Sequence, residues 1–144
     1  MDHARTRRTS VMIARLSRGE WLHDAIAELA RAERIDAGLV RGQGAIDHAE
    51  LRSYDPRSRR YELEVEIEGA CELAVLSGSV ALRDGAPDVS LHAVVARPAE
   101  AGGMPIVAAG QLARARAVAV EIAIDVLEDG GLWRSEDPET GLVR

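Results

Sequence analysis

His92 has the clearest claim to chemistry. In Ser90-Leu91-His92-Ala93-Val94, Leu91, Ala93 and Val95 share one strand face, so His92 points away from them, on the side of Ser90 and Val94. An imidazole there can act as a proton shuttle or a metal ligand, but a lone strand histidine is more often a packed, hydrogen-bonded residue. His3, His23 and His48 are scattered, with no close spacing to another ligand. Zinc takes three or four N, S or O ligands, so residue types alone assemble no metal centre. Glu62, Glu64, Glu66 and Glu68 share a face at period two. As an acid/base or calcium site they need convergence from a second element, and the neighbouring sequence supplies none. The row reads as a solvated sheet face whose charges discourage edge pairing.

Arg41-Gly42-Gln43-Gly44 contains a G-x-G after a strand, but no third glycine and no helix follow, so it lacks the context of a dinucleotide fingerprint. Glycines at alternate strand positions instead allow close packing. Arg5-Thr6-Arg7-Arg8 is a charged, solvated end. All 18 basic side chains are arginine, which excludes Schiff-base and P-loop lysine chemistry. Phenylalanine is absent and the only rings are Trp21, Trp133, Tyr54 and Tyr61, too few for a base-stacking sheet. Cys71 is the one cysteine, so neither an internal disulfide nor a zinc ribbon is available.

These groups must be positioned by a core of Ala, Val, Leu and Ile. Residues 10–16 read as a first strand, and 20–34 as an amphipathic helix with Leu22, Ile26 and Leu29 on one stripe. The period then changes to two. Residues 37–46, 48–54, 61–68, 72–82, 89–97, 105–112 and 118–126 carry strand patterns, with a hairpin signal at Asp84-Gly85. About seven strands and one long helix make an α+β domain with a largely antiparallel, mixed sheet. The division expected is an N-terminal extension over 1–9 and one domain over 10–144. The 144 residues are 47% hydrophobic and 29% charged, with net charge −6, which argues against a protein gripping nucleic acid over its whole surface. No apolar run reaches the length of a membrane span, and a cytoplasmic location is expected.

In order along the chain, several segments resemble the PPC domain (plants and prokaryotes conserved). They are Arg15-Leu16-Ser17-Arg18-Gly19-Glu20, residues 37–45, Glu50-Leu51-Arg52-Ser53-Tyr54-Asp55-Pro56, residues 71–80, Leu91-His92-Ala93, Ala109-Gly110-Gln111-Leu112 and Asp137-Pro138-Glu139-Thr140-Gly141-Leu142. The resemblance implies the α+β fold and a homotrimer. Many bacterial members look like metal binders through a His-x-His and a Gly-Gly-His. Here those positions read Ser90-Leu91-His92 and Ala109-Gly110-Gln111, leaving His92 alone, so no metal or other cofactor is expected. The pocket so implied comprises Ser90, His92, Gly110 and Gln111, completed by Arg41 or Glu50, and would hold a polar small molecule. Arg41 could pair bidentately with a carboxylate or phosphate, or serve in a structural ion pair. Plant members trimerise and bind partners through the domain, while a separate Arg-Gly-Arg-Pro hook enters DNA. No such hook occurs here, so direct nucleic-acid binding is not expected. Two readings follow. One is a trimeric, non-enzymatic interaction module, DNA-associated through protein partners. The other is a small-molecule binding protein or enzyme acting at the Ser90, His92 and Gln111 pocket, with no catalytic residue assigned.

Overall fold

Runs of alternating aliphatic residues leave one face that must be covered, and most of the chain's folding follows from that demand. The structure, a computed structural model, describes residues 5–99 and 103–143. Among them are β1 (Thr9–Leu16), α1 (Leu22–Glu33), β2 (Gly38–Asp55), β3 (Arg60–Arg83), β4 (Ala86–Arg97) and β5 (Ile106–Leu127). The strands run in the order β1-β5-β2-β3-β4, with antiparallel neighbours, and β4 also pairs with β5. The sheet therefore curls until β2, β3, β4 and β5 close on one another.

The expected count of about seven strands is corrected to five among the described residues. Residues 37–46 and 48–54 are one strand, β2, because register shifts at Gly42/Gly44, Ile46/His48 and Leu51/Arg52 bend the ladder without ending it. Residues 61–68 and 72–82 are likewise one strand, β3. β5 absorbs two more expected strands, because it stays paired with β2 from Gln111 to Val126 through register shifts at Ala45/Ile46, Ile46/His48 and Glu50/Leu51. Each bulge breaks the period of two, which in sequence looks like a strand end. The G-x-G falls on one of these bends: a Cβ on Gly44 would stand 2.2 Å from the Ala119 carbonyl oxygen, so β2 and β5 approach too closely there for a side chain.

The helix buries Leu22, Ile26 and Ala30 against β4 and β5. Leu22 and Ile26, both fully enclosed, contribute about 1.5–3 kcal/mol each by leaving water. The core they join is aliphatic, from Leu16 through Ile46, Leu73, Leu91 and Leu112 to Ile124, with Cys71 its one thiol. Burial pushes that thiol's pKa up. No helix among the described residues is long and apolar enough to cross a membrane.

The stretch after β5 has little sequence periodicity, yet it is pinned. Leu82 donates its N–H to the Leu132 carbonyl at 2.7 Å, and Arg134 returns one to Leu82 at 2.8 Å. Further on, the Tyr54 hydroxyl donates to the Thr140 carbonyl at 2.9 Å. This tail thus runs from one end of β3 to the hairpin at its other end, where the coiled sheet has brought the two together.

Candidate functional site

His92 lies directly between Ser77 of β3 and Gln111 of β5. The three project from the outer face, while Leu91, Ala93 and Val95 are buried beneath. Ser90 is on the same face two positions along, opposite Ser79. Gly110 faces Ala93, and the Arg52 carbonyl oxygen lies 2.7 Å from where its Cβ would be, so the backbone of β2 passes close. The fold thus brings Ser90, His92, Gly110 and Gln111 into one neighbourhood.

A cleft of about 260 Å³ opens where β4 and β5 part, and its lining includes His23, Arg60, Tyr61, Ser90, Gln111 and Arg134. His92 is exposed and is not part of that lining. Arg134 is the fixed point of the cleft. One guanidinium nitrogen donates to Asp88 Oδ2 at 2.8 Å and to the Asp88 carbonyl at 2.6 Å. The other donates to Ser79 Oγ at 2.6 Å and to the Ser79 carbonyl at 3.2 Å. Its side chain is 9% exposed, and four bonds from one planar fork hold tail and sheet together. His23, on the first turn of the helix, is the opposite case: its Nδ1 is enclosed without a hydrogen bond. Burial lowers its pKa, with Asp24, Asp88 and the Leu112 carbonyl pulling the other way.

Arg41 and Glu50 are placed elsewhere. Arg41 is ion-paired with Asp125 on the outer face of β2 and β5. Glu50 contacts His48 Nε2 at 3.2 Å, while Glu68 meets His48 Nδ1 at 2.7 Å. His48 is 6% exposed and stands edge-on to Trp21, whose ring in turn lies under the Arg114 guanidinium. Glu66 joins them, so His48, Glu66 and Glu68 have ligand-type atoms within 4.8 Å of one another. The second element that the glutamate row lacked in sequence is β2, through the cross-strand pairs His48–Glu68 and Glu50–Glu66. Sequence spacing hid this because the partners are 20 and 16 positions apart; strand register was the missing signal.

The outer face also carries an apolar stretch across β1, β2 and β3. Val11, Ile13, Leu39 and Val75 are 57, 67, 50 and 51% exposed. Between them runs a groove of about 340 Å³ bordered by Ile13, Gly42, Ala74, Val75, Ile122 and Ala123. Arg41, Gln43 and Glu121 also line it, and the ion pairs Arg15–Glu121 and Arg41–Asp125 lie on the same face, with Asp125 between Val11 and Leu39.

Against known proteins, the profile of the Plants and Prokaryotes Conserved domain (abbreviated PCC or PPC) matches residues 3–128. The chain belongs to this family. Among solved structures, it is similar to a metal-containing protein from Archaeoglobus fulgidus, with TM-score 0.89 and 26% identity over 100% of this chain and 98% of that one. It is also similar to a plant- and prokaryote-conserved protein from Pyrococcus horikoshii, with TM-score 0.83 and 23% identity over 98% and 97% of the two chains. A third, from Bacteroides thetaiotaomicron, is named as a candidate DNA-binding protein and matches with TM-score 0.79 and 22% identity over 92% and 89%. No curated protein sequence matches the chain.

For this PPC domain the metal implied by many bacterial relatives can be tested against the residues present. Ser90 offers a neutral hydroxyl, Gln111 a neutral amide and His92 a single exposed imidazole. A site with one good nitrogen donor and two weak oxygen donors does not suit a transition metal. The set does not fit such a metal.

Proposed function

We propose that this PPC domain is a homotrimeric, non-enzymatic interaction module that associates with DNA-linked processes through protein partners. The observation that supports it is the outer face where Val11, Ile13, Leu39 and Val75 lie open to solvent, interleaved with the ion pairs Arg15–Glu121 and Arg41–Asp125. Exposed aliphatic side chains on one sheet face are costly to leave wet, and arginines among them suit a protein–protein contact. Closed symmetry lets identical copies cover such a face on one another. Similar proteins named as DNA-binding candidates suggest the process, while a net charge of −6 argues that the contact with DNA is indirect. Light scattering on the purified chain is expected to give three times the 15.5 kDa chain mass. A stable monomer at micromolar concentration would remove the reading.

A second reading, a small-molecule binding site, is favoured by one specific feature. Ser90 and Gln111, the polar pair that stands where many bacterial relatives have imidazoles, line the cleft at the β4–β5 fork together with His23 and Tyr61.

A further inference from the structure

The two ends of β3 lie 23 positions apart in sequence, yet Arg60 from one end and Arg83 from the other line the same cleft. Like charges are not gathered by packing energy, so their surroundings decide what they do there. Among the described residues the only carboxylate in the lining is Asp88, and Arg134 already neutralises it at 2.8 Å. Arg60 meets Glu62 at 3.5 Å in an exposed pair, the kind of contact that contributes little. Arg83 makes no ion pair among the described residues. In a chain with 24 acidic and 18 basic residues, this cleft thus holds, among the described residues, three guanidiniums against one carboxylate.

The rest of the lining suits recognition as well as attraction. β4 and β5 are hydrogen-bonded only from His92–Gln111 to Arg97–Ile106, so Ser90 and Gln111 stand at the fork where the ladder ends. A hydroxyl and an amide offer both donors and acceptors to a polar ligand. Tyr61, Leu142 and Val143 add apolar wall, and Arg134 keeps the tail in place above the sheet. Few polar groups in a walled cleft, with planar cations at its rim, is how small carboxylates and phosphates are held.

We propose that the β4–β5 fork binds a small oxyanion-bearing molecule, its carboxylate or phosphate held by Arg60 and Arg83 and its polar body by Ser90 and Gln111. The proposal rests on the second reading above and gives that site its ligand class. Isothermal titration calorimetry at constant ionic strength tests it, using inorganic phosphate, citrate and the neutral polyol glycerol as probes. Saturable binding of phosphate or citrate is expected, weakened about tenfold or more in the Arg60→Gln, Arg83→Gln double variant. The Arg31→Gln variant, on the exposed side of the helix, is expected to bind as the unaltered chain does. The stronger of the two anions tells a free phosphate site from a carboxylate site. Equal anion binding by the double variant and the unaltered chain overturns the proposal. Binding of glycerol with both anions silent overturns the oxyanion class while leaving the pocket reading standing, and silence from all three probes overturns both.

Discussion

The apolar groove and the fork cleft are built from the same kind of position, outward residues on neighbouring strands, and differ in what holds them. The groove needs only the pleat: Val11, Ile13, Leu39 and Val75 face outward because period two puts them there, with Ala123, Asp125 and Arg41 of the paired strands among them. The cleft needs the sheet to coil, β4 and β5 to part, and a tail without periodicity to be tied across the gap by Arg134 and Tyr54. A flat aliphatic surface is therefore a local consequence of composition, whereas a walled polar site depends on long-range contacts that a few residues carry. The groove should tolerate loss of those few residues, and the cleft should not.

The largest expected effect separates the two regions outright. Ile13→Asp puts a carboxylate in the middle of the aliphatic face, where association would bury it unpaired, a cost of several kcal/mol. Light scattering is expected to show a monomer for this variant, while phosphate binding at the fork persists. Persistence of the trimer would place the interface elsewhere. Next in size is Arg134→Ala, which leaves Asp88 and Ser79 without their partner and frees the tail. A cost of about 3 kcal/mol is expected in denaturant unfolding at fixed protein concentration, with oligomeric mass unchanged and anion binding lost. An Arg134→Ala chain that kept the cleft's affinity would show that the tail is no wall.

How far each region was legible in sequence follows the same division. The alternation over 61–68 and 118–126, the stripe Leu22, Ile26 and Leu29, and the Asp84-Gly85 turn are local, and each became the element it indicated, with Arg83 and Ala86 paired across the two-residue turn. Strand number was misread because a bulge and a strand end look alike until the partner strand is known, as at Gly42/Gly44 and Ile46/His48. His48 looks isolated in sequence, although β3 sets Glu68 directly opposite it. The closeness of Ser90, His92 and Gln111 came from family resemblance alone, since β4–β5 register cannot be derived from either segment by itself. Nothing local marked Arg134, whose four hydrogen bonds reach residues 46 and 55 positions away.

A smaller effect sharpens the role of the tail's far end. Tyr54→Phe keeps the ring but removes the hydroxyl that donates to the Thr140 carbonyl. About 1 kcal/mol is expected, the net contribution of one such bond. Because Arg134 still ties the near end, faster amide exchange should appear at Gly141 and Leu142 and not at Leu132's partner, Leu82. Uniformly faster exchange would mean that the tail opens as one unit.

The last comparison is between the folded and unfolded chain at His23. Burial lowers the folded pKa of this ring below its ordinary 6.5, so the folded state holds it neutral in a range where the unfolded chain already takes up a proton. Stability contributed by the neutral ring is therefore full above about pH 6.5 and falls as pH drops through that value, levelling only below the folded pKa. Asp24 and Asp88 soften the effect by favouring the charged ring, and Arg52 reinforces it. Unfolding free energy measured between pH 7.5 and 5.5 should decline with acid in the unaltered chain and decline less in a His23→Leu chain. The difference in slope, rather than the absolute stability of either chain, carries the test, since leucine changes packing at every pH while only histidine exchanges a proton. Parallel slopes would mean that the ring takes up its proton at the same pH folded and unfolded, Asp24 and Asp88 cancelling the effect of burial.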